Sequence, residues 1–281
     1  MKLNWQKVKN RLRNVPPHIF LVFYSLIALF PIFLIIMNSF KERKAIFKTP
    51  YFFPTAETFS LKGYETLFDR ARFEIYFLNS TIVVVVSMVL ILLFGAMAAY
   101  ALAEYDFPGN PLLGLYLSIG IMIPIRLGSV GILKLIVKLG LINTLTALIL
   151  VYVAQGLPMA IFILTQFMKA VPKELKDAAR VDGASEYWIF WLVLPLVRPA
   201  LATVSIFTIL PIWNDLWFPL ILANSEKTKT VTLGAQVFLG QFVIDWNAVL
   251  SSLTLSMVPV LVLYLIFAKG LIRNITAGAV K

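Results

Sequence analysis

The sequence has no cysteine and a single histidine, His18. Disulfide frameworks, thiolate nucleophiles and the common zinc-ligand sets are therefore excluded. No glycine is followed by lysine anywhere in the chain, so it holds no Walker A phosphate-binding loop. Charge is scarce as well: only 14% of the 281 residues are Asp, Glu, Lys or Arg. What fills the chain instead is apolar, 60% of residues with a mean hydropathy of +0.86. That is far outside the soluble range and makes a bilayer the expected solvent. Lys and Arg exceed Asp and Glu by 25 to 14, a net charge of +11. These basic residues lie in short segments between apolar runs, which points to anionic lipid headgroups and away from nucleic acid.

Six apolar runs have spanning length: 17–39, 76–103, 111–133, 141–168, 196–223 and 250–268. Each must be helical in hydrocarbon, where no water satisfies an open backbone, so the fold class is all-α, a single transmembrane domain over residues 1–281. Pro31, Pro124, Pro158, Pro211, Pro219 and Pro259 fall inside these runs and predict kinks, since each ring removes a donor and crowds the carbonyl four residues back. The first run follows five basic residues and no acidic one. It is too long for a signal-peptide core and lacks a small-x-small cleavage pattern, so it reads as an uncleaved first helix. Residues 40–75 carry 12 charged residues and read as an external lobe. Charge alone divides nearly evenly between the two sides. The basic N-terminus and the tail residues Lys269, Arg273 and Lys281 favour both termini in the cytoplasm, whereas Lys41, Arg43 and Lys44 argue the other way.

The segment 169–195 carries the strongest signal. From Val171 it reads VPKELKDAARVDGASEYWIFWLVLPL. Pro172 suits a helix start, Glu174 and Asp177 lie near the positive end of the helix dipole, and Gly183 is placed to close the helix in the left-handed conformation. A second helix then leads into the membrane. Leu175, Ala178, Ala179 and Asp182 share a face at helical spacing, and its small residues would admit a partner's backbone. Physics alone leaves open an ordinary amphipathic helix on the membrane surface.

Asp177, Ala178, Ala179, Asp182, Gly183, Ala184, Ser185, Leu194 and Pro195 resemble the EAA loop of binding-protein-dependent ABC importer permeases: an acidic-Ala-Ala triplet, a Gly, and an apolar stretch ending in Leu-Pro. Asp177 stands where Glu is usual. The resemblance extends over most of the chain, through WNDLWFPL at 213–220 and the tail GLIRNITAGAVK from Gly270, and is closest to the carbohydrate branch, similar to the smaller maltose-type permease. It implies a type I importer fold with a cytoplasmic coupling helix between helices 4 and 5, in the bacterial inner membrane. It also implies four kinds of partner: a second, homologous permease, two copies of an ATP-hydrolysing subunit, an extracytoplasmic sugar-binding protein, and membrane lipid. This chain then holds no cofactor, and ATP and Mg sit on the ATPase. Glu174 and the EAA residues would face that ATPase, and Thr276, Ala277 and Gly278 in the tail would reach into its dimer.

Substrate contacts are sought in the fifth run. An ionisable residue inside a span is disfavoured by about 2.5 to 3.5 kcal/mol at the centre and marks a functional-site hypothesis. Asp215 therefore needs a partner or water. Trp213 and Trp217, one turn apart, offer flat faces for a sugar, and Asn214 both donates and accepts. The competing reading, which the position near the outer headgroups favours, is that the tryptophans are interfacial anchors and that Asn214 and Asp215 pin the helix to its neighbour. Gln155, Gln166 and Asn79 read as helix–helix contacts. Arg126 either lines the path or snorkels outward, and His18 reads as interfacial. An ion-coupled secondary transporter is the alternative function, but it normally brings several midplane acids, where this chain has almost only Asp215. A membrane enzyme lacks an acid, base or nucleophile cluster.

Overall fold

The computed structural model describes the backbone of residues 5–69, 71–239 and 244–279, and side chains from 16 to 262 within those ranges. Among the described residues the helices are, in chain order, α1 (Trp5–Ser39), α2 (Arg43–Lys48), α3 (Lys62–Asp69), α4 (Phe73–Glu104), α5 (Asn110–Ile119), α6 (Ser129–Lys138), α7 (Leu145–Lys169), α8 (Lys173–Val181), α9 (Glu186–Leu196), α10 (Arg198–Asn214), α11 (Trp217–Leu222), α12 (Val231–Val237) and α13 (Trp246–Ala279), with a short 3-10 turn at Ile125–Gly128. The β structure described is one isolated bridge, Lys41 to Phe59. The all-α class expected from the composition is what the chain adopts. Among the described residues, three helices are long and apolar enough to cross a bilayer: α1 from Pro16, α4 and α7. The α9–α10 pair passes the same test jointly but bends by 74°, where Pro195 and Pro199 flank Val197 and each ring interferes with the preceding turn.

Two compact units divide the chain: residues 1–71 with 235–255, and residues 72–234 with 256–281. In the first, the end of α1 is tied to the segment that follows it. Lys41 is fully buried and donates from Nζ to Asn38 Oδ1 (2.9 Å) and to the Thr49 carbonyl (2.8 Å). Burial lowers its pKa from the ordinary lysine value. The first turns of α13 close over it, with Asn247 Nδ2 donating to the Lys41 carbonyl at 2.6 Å. Gly63 lies so near that a Cβ there would sit 2.4 Å from the Asn247 carbonyl oxygen.

The second unit is built on α4 against α7. Lipid supplies no hydrophobic drive for helices to associate, so small residues that admit close backbone approach do the work. Gly95 meets Ala160, where a Cβ would lie 2.9 Å from the alanine Cβ, and Gly156 meets Ile91. Ile91, Ala99, Leu148, Ala160 and Leu164 are wholly buried along this seam.

Two expected single helices are interrupted. The run 111–133 is α5, a turn, the 3-10 segment and then α6. Pro124 adopts ψ 104 and offers no N–H to the carbonyl of Gly120, and Gly120 to Met122 close instead with bonds to residues three back. The run 196–223 stops at Asn214, because Pro219 has no N–H for the Asp215 carbonyl and its ring crowds it. Asp215 turns to ψ 133 and α11 begins two residues later. The last run, 250–268, falls in α13, whose side chains beyond Val262 lie outside the described residues.

Candidate functional site

The loop after α7 builds its geometry locally. Helix α8 starts behind Pro172 and ends at Asp182, and Gly183 takes φ +83°. The Ala184 N–H reaches back to the Ala179 carbonyl (2.9 Å) and the Gly183 N–H to the Arg180 carbonyl (3.0 Å). These two bonds together form the Schellman closure that satisfies the last carbonyls of a helix. Ser185, extended at φ −71° and ψ 159°, precedes α9 without a side-chain cap.

The faces of α8 divide sharply. Leu175, Ala178, Asp182 and Glu174 are exposed, and Val181 is 88% exposed. Ala179 and Ala184 are half-buried, so the outward stripe is Leu175, Ala178 and Val181 between two acids, with Ala179 turned partly inward. Inward lies an ionic cluster that the sequence reading missed. Glu104, the last residue of α4, has a buried carboxylate that accepts from Lys176 Nζ and, at 2.6 Å, from Arg180 Nη2. Arg180 also donates to Glu186 (2.8 Å) and Asp177 (2.8 Å). Glu186, in turn, accepts from Tyr100 Oη (3.0 Å) and Tyr105 Oη (3.1 Å). The carboxylates of Glu186 first, and of Glu104 with it, push the Arg180 pKa above the usual arginine range. The one signal for this cluster in the sequence was a lone acid at the very end of a long apolar run, facing a later basic helix.

The second expected cluster separates. Trp213 is buried, its indole N–H on the Ser256 carbonyl (3.0 Å), and Asn214 is exposed with Nδ2 on the Leu210 carbonyl (2.9 Å). Asp215, 8% exposed, accepts from Tyr152 Oη (2.9 Å), from Arg126 Nη2 (3.3 Å) and from the N–H groups of Phe218 (3.1 Å) and Trp217 (3.3 Å). It thus caps α11 and holds α7 at once. Trp217 is 42% exposed and donates to Ser129 Oγ (2.8 Å). Trp213 and Asp215 face inward while Asn214 and Trp217 face out, so the four do not form one surface. Arg126 pairs with Asp215 yet keeps two thirds of its side chain exposed. Asn79 pins the loop before α12, donating to the carbonyls of Lys227 and Lys229 (both 2.9 Å). Gln155, Gln166 and His18 are exposed. Thr276, Ala277 and Gly278 lie in the last turns of α13, and their side chains lie outside the described residues.

Fold and loop together define an integral membrane protein with several apolar helices and a solvent-facing helix held at the end of its central pair. Residues 91–277 match the family model described as "Binding-protein-dependent transport system inner membrane component", and the chain belongs to that family. It is 33% identical over 94% of its length to the diacetylchitobiose uptake system permease protein NgcG of Streptomyces coelicolor, covering 88% of that protein. It is 35% identical over 92% of its length to the arabinooligosaccharides transport system permease protein AraQ of Halalkalibacterium halodurans, covering 93% of it. Its fold is that of a chain in a bacterial ABC transporter that imports the acidic polysaccharide alginate, with TM-score 0.79, 21% identity and coverage of 93% and 97% of the two chains.

Proposed function

We propose that this chain is the membrane-spanning permease subunit of an ATP-driven importer for a carbohydrate or related polyol. It takes substrate from an extracytoplasmic binding protein and moves it inward by alternating access. The proposed subunit crosses the membrane six times, with α5 and α6 as the two halves of a broken third span and α9–α10 as the entry to the fifth, and has both termini in the cytoplasm. A second permease completes the path, and two ATPase copies hold the ATP and Mg. The observation that carries the coupling role is the outward stripe of α8. Leu175, Ala178 and Val181 are left uncovered between Glu174 and Asp182 on a helix whose Lys176 and Arg180 are held from the other side by Glu104. The substrate class rests on relatives whose names specify diacetylchitobiose and arabinooligosaccharide uptake.

The test uses the complex of both permeases, the ATPase and the binding protein. Val181→Arg places a charge at the centre of the stripe, and Gly183→Val meets open space but a left-handed backbone that penalises a side chain by about 1 to 2 kcal/mol. Both variants should insert at normal levels, retain less ATPase in pull-down and import less labelled sugar per permease. Normal attachment and uptake in both would remove the coupling role from this loop.

A further inference from the structure

The outward stripe explains how α8 meets a partner but not what receives the load. Helix α8 is joined to the rest of the chain covalently at two places. One is the link from α7 through residues 170–172, and the other is the turn at Gly183. A short helix between two such joints can roll. The described residues add a third attachment, and it leads to a different helix. The Glu104 carboxylate is 6% exposed and is shared by Lys176, itself 7% exposed, and Arg180, which lies one turn further along α8. Taking the Glu104 and Lys176 charges out of water is strongly unfavourable unless the geometry of their pairing is maintained, and Arg180, a third exposed, adds a second cation to the same carboxylate. The two cations therefore have only a narrow range of positions over which the cluster stays satisfied, and they hold α8 against rolling. Glu104 ends α4, and α4 is packed against α7 through Gly95, Ala160, Gly156 and Ile91 with no room for an intervening methyl group.

We propose that Glu104 is a positioning residue for coupling: its buried carboxylate clamps α8 to the end of α4, so that motion imposed on the outward stripe is delivered to the α4–α7 pair as a rigid displacement. The inference rests on the reading of α8 as the ATPase-docking helix. Arg180 extends the clamp to α9 through Glu186, which Tyr100 and Tyr105 also hold. The bend at Gly183 is thereby braced from α4 and is not a free hinge.

The absence of cysteine from the chain provides a direct test. Glu104→Cys with Lys176→Cys removes the clamp and places two unique thiols where it stood. In vesicles, with the other subunits made cysteine-free, the quantity read is sugar imported per ATP hydrolysed. The reduced double variant should lower that ratio several-fold, within the roughly 100-fold that a misplacement far from the chemistry can cause. A short reversible bis-thiosulfonate bridge across the two thiols should restore it, and reductant should abolish the restoration. Glu104→Asp, which keeps the charge with shorter reach, should fall between. A role confined to folding predicts no reversible recovery, so a ratio unchanged by removal of the clamp, or unrestored by the bridge, overturns the proposal. In parallel vesicles that carry Val181→Cys as the permease's single thiol, a thiol-attached photo-cross-linker reaching the ATPase separates the two claims. A positive cross-link with an unchanged ratio removes the clamp alone, and no cross-link removes the docking helix and the clamp together.

Discussion

At the scale of single residues, Asp215 shows how a buried acid is made tolerable. Four donors reach its two oxygens: a phenol, a guanidinium and two backbone N–H groups. Charge-assisted bonds of this kind are worth about 1.5 to 3 kcal/mol each where they are net favourable. Asp215→Asn keeps an acceptor for the cap but gives up charge and acceptor capacity, and thermal unfolding in detergent should report a loss of about 1 to 3 kcal/mol. Tyr152→Phe should lose less. The double variant should fall short of the sum by about 0.5 kcal/mol or more, since both remove the same bond; strict additivity would detach Tyr152 from the site. The sequence made clear that Asp215 required a partner, because a lone carboxylate in an apolar run is too unfavourable to leave unpaired. It could not name the partners, which stand 63 and 89 positions away. Spacing rules reach about one heptad, so Tyr152 and Arg126 were legible only as isolated polar residues. Gly183 is the opposite case: its positive φ follows from local chain chemistry, and the structure places it at +83°.

At the scale of helices, what was legible is the set of apolar runs and what was not is their continuity. Hydropathy averages over a window, whereas a proline acts on one carbonyl. The interruptions at 120–124 and 215–216 are therefore invisible to the average although Pro124 and Pro219 were both in view. Packing between helices is similarly hidden, since a glycine in an apolar run gives no sign of what it faces. Gly95 and Gly114 illustrate this: a Cβ at the first would press on Ala160, and a Cβ at the second would meet nothing within 4 Å. The alanine methyl cannot rotate away, so Gly95→Leu must separate α4 from α7 or strain the backbone, which overpacking data put at about 1 to 3 kcal/mol. Gly114→Leu should leave stability nearly unchanged. Thermal unfolding of the two purified variants checks the contrast, and equal stability would mean that the α4–α7 seam is looser than its geometry.

At the scale of the whole molecule, the features that set the function are the ones it leaves unfinished. The apolar window of α1 from Pro16 has none of its residues buried among the described residues, a surface open to lipid and to the proposed second permease. The stripe on α8 is likewise open, and the chain lacks the Gly-Lys step on which a phosphate-cradling loop depends. On the proposed function, a protein so arranged transmits work that a partner ATPase supplies. Purified to homogeneity and reconstituted alone, it should hydrolyse ATP no faster than empty vesicles. Hydrolysis should appear on addition of the ATPase subunit and should vanish when the phosphate-loop lysine of that subunit is replaced. Sugar uptake should require, in addition, the second permease and the binding protein. Hydrolysis by the isolated chain that survives further purification would overturn this division of labour, which assigns the phosphate-binding loop to the partner ATPase.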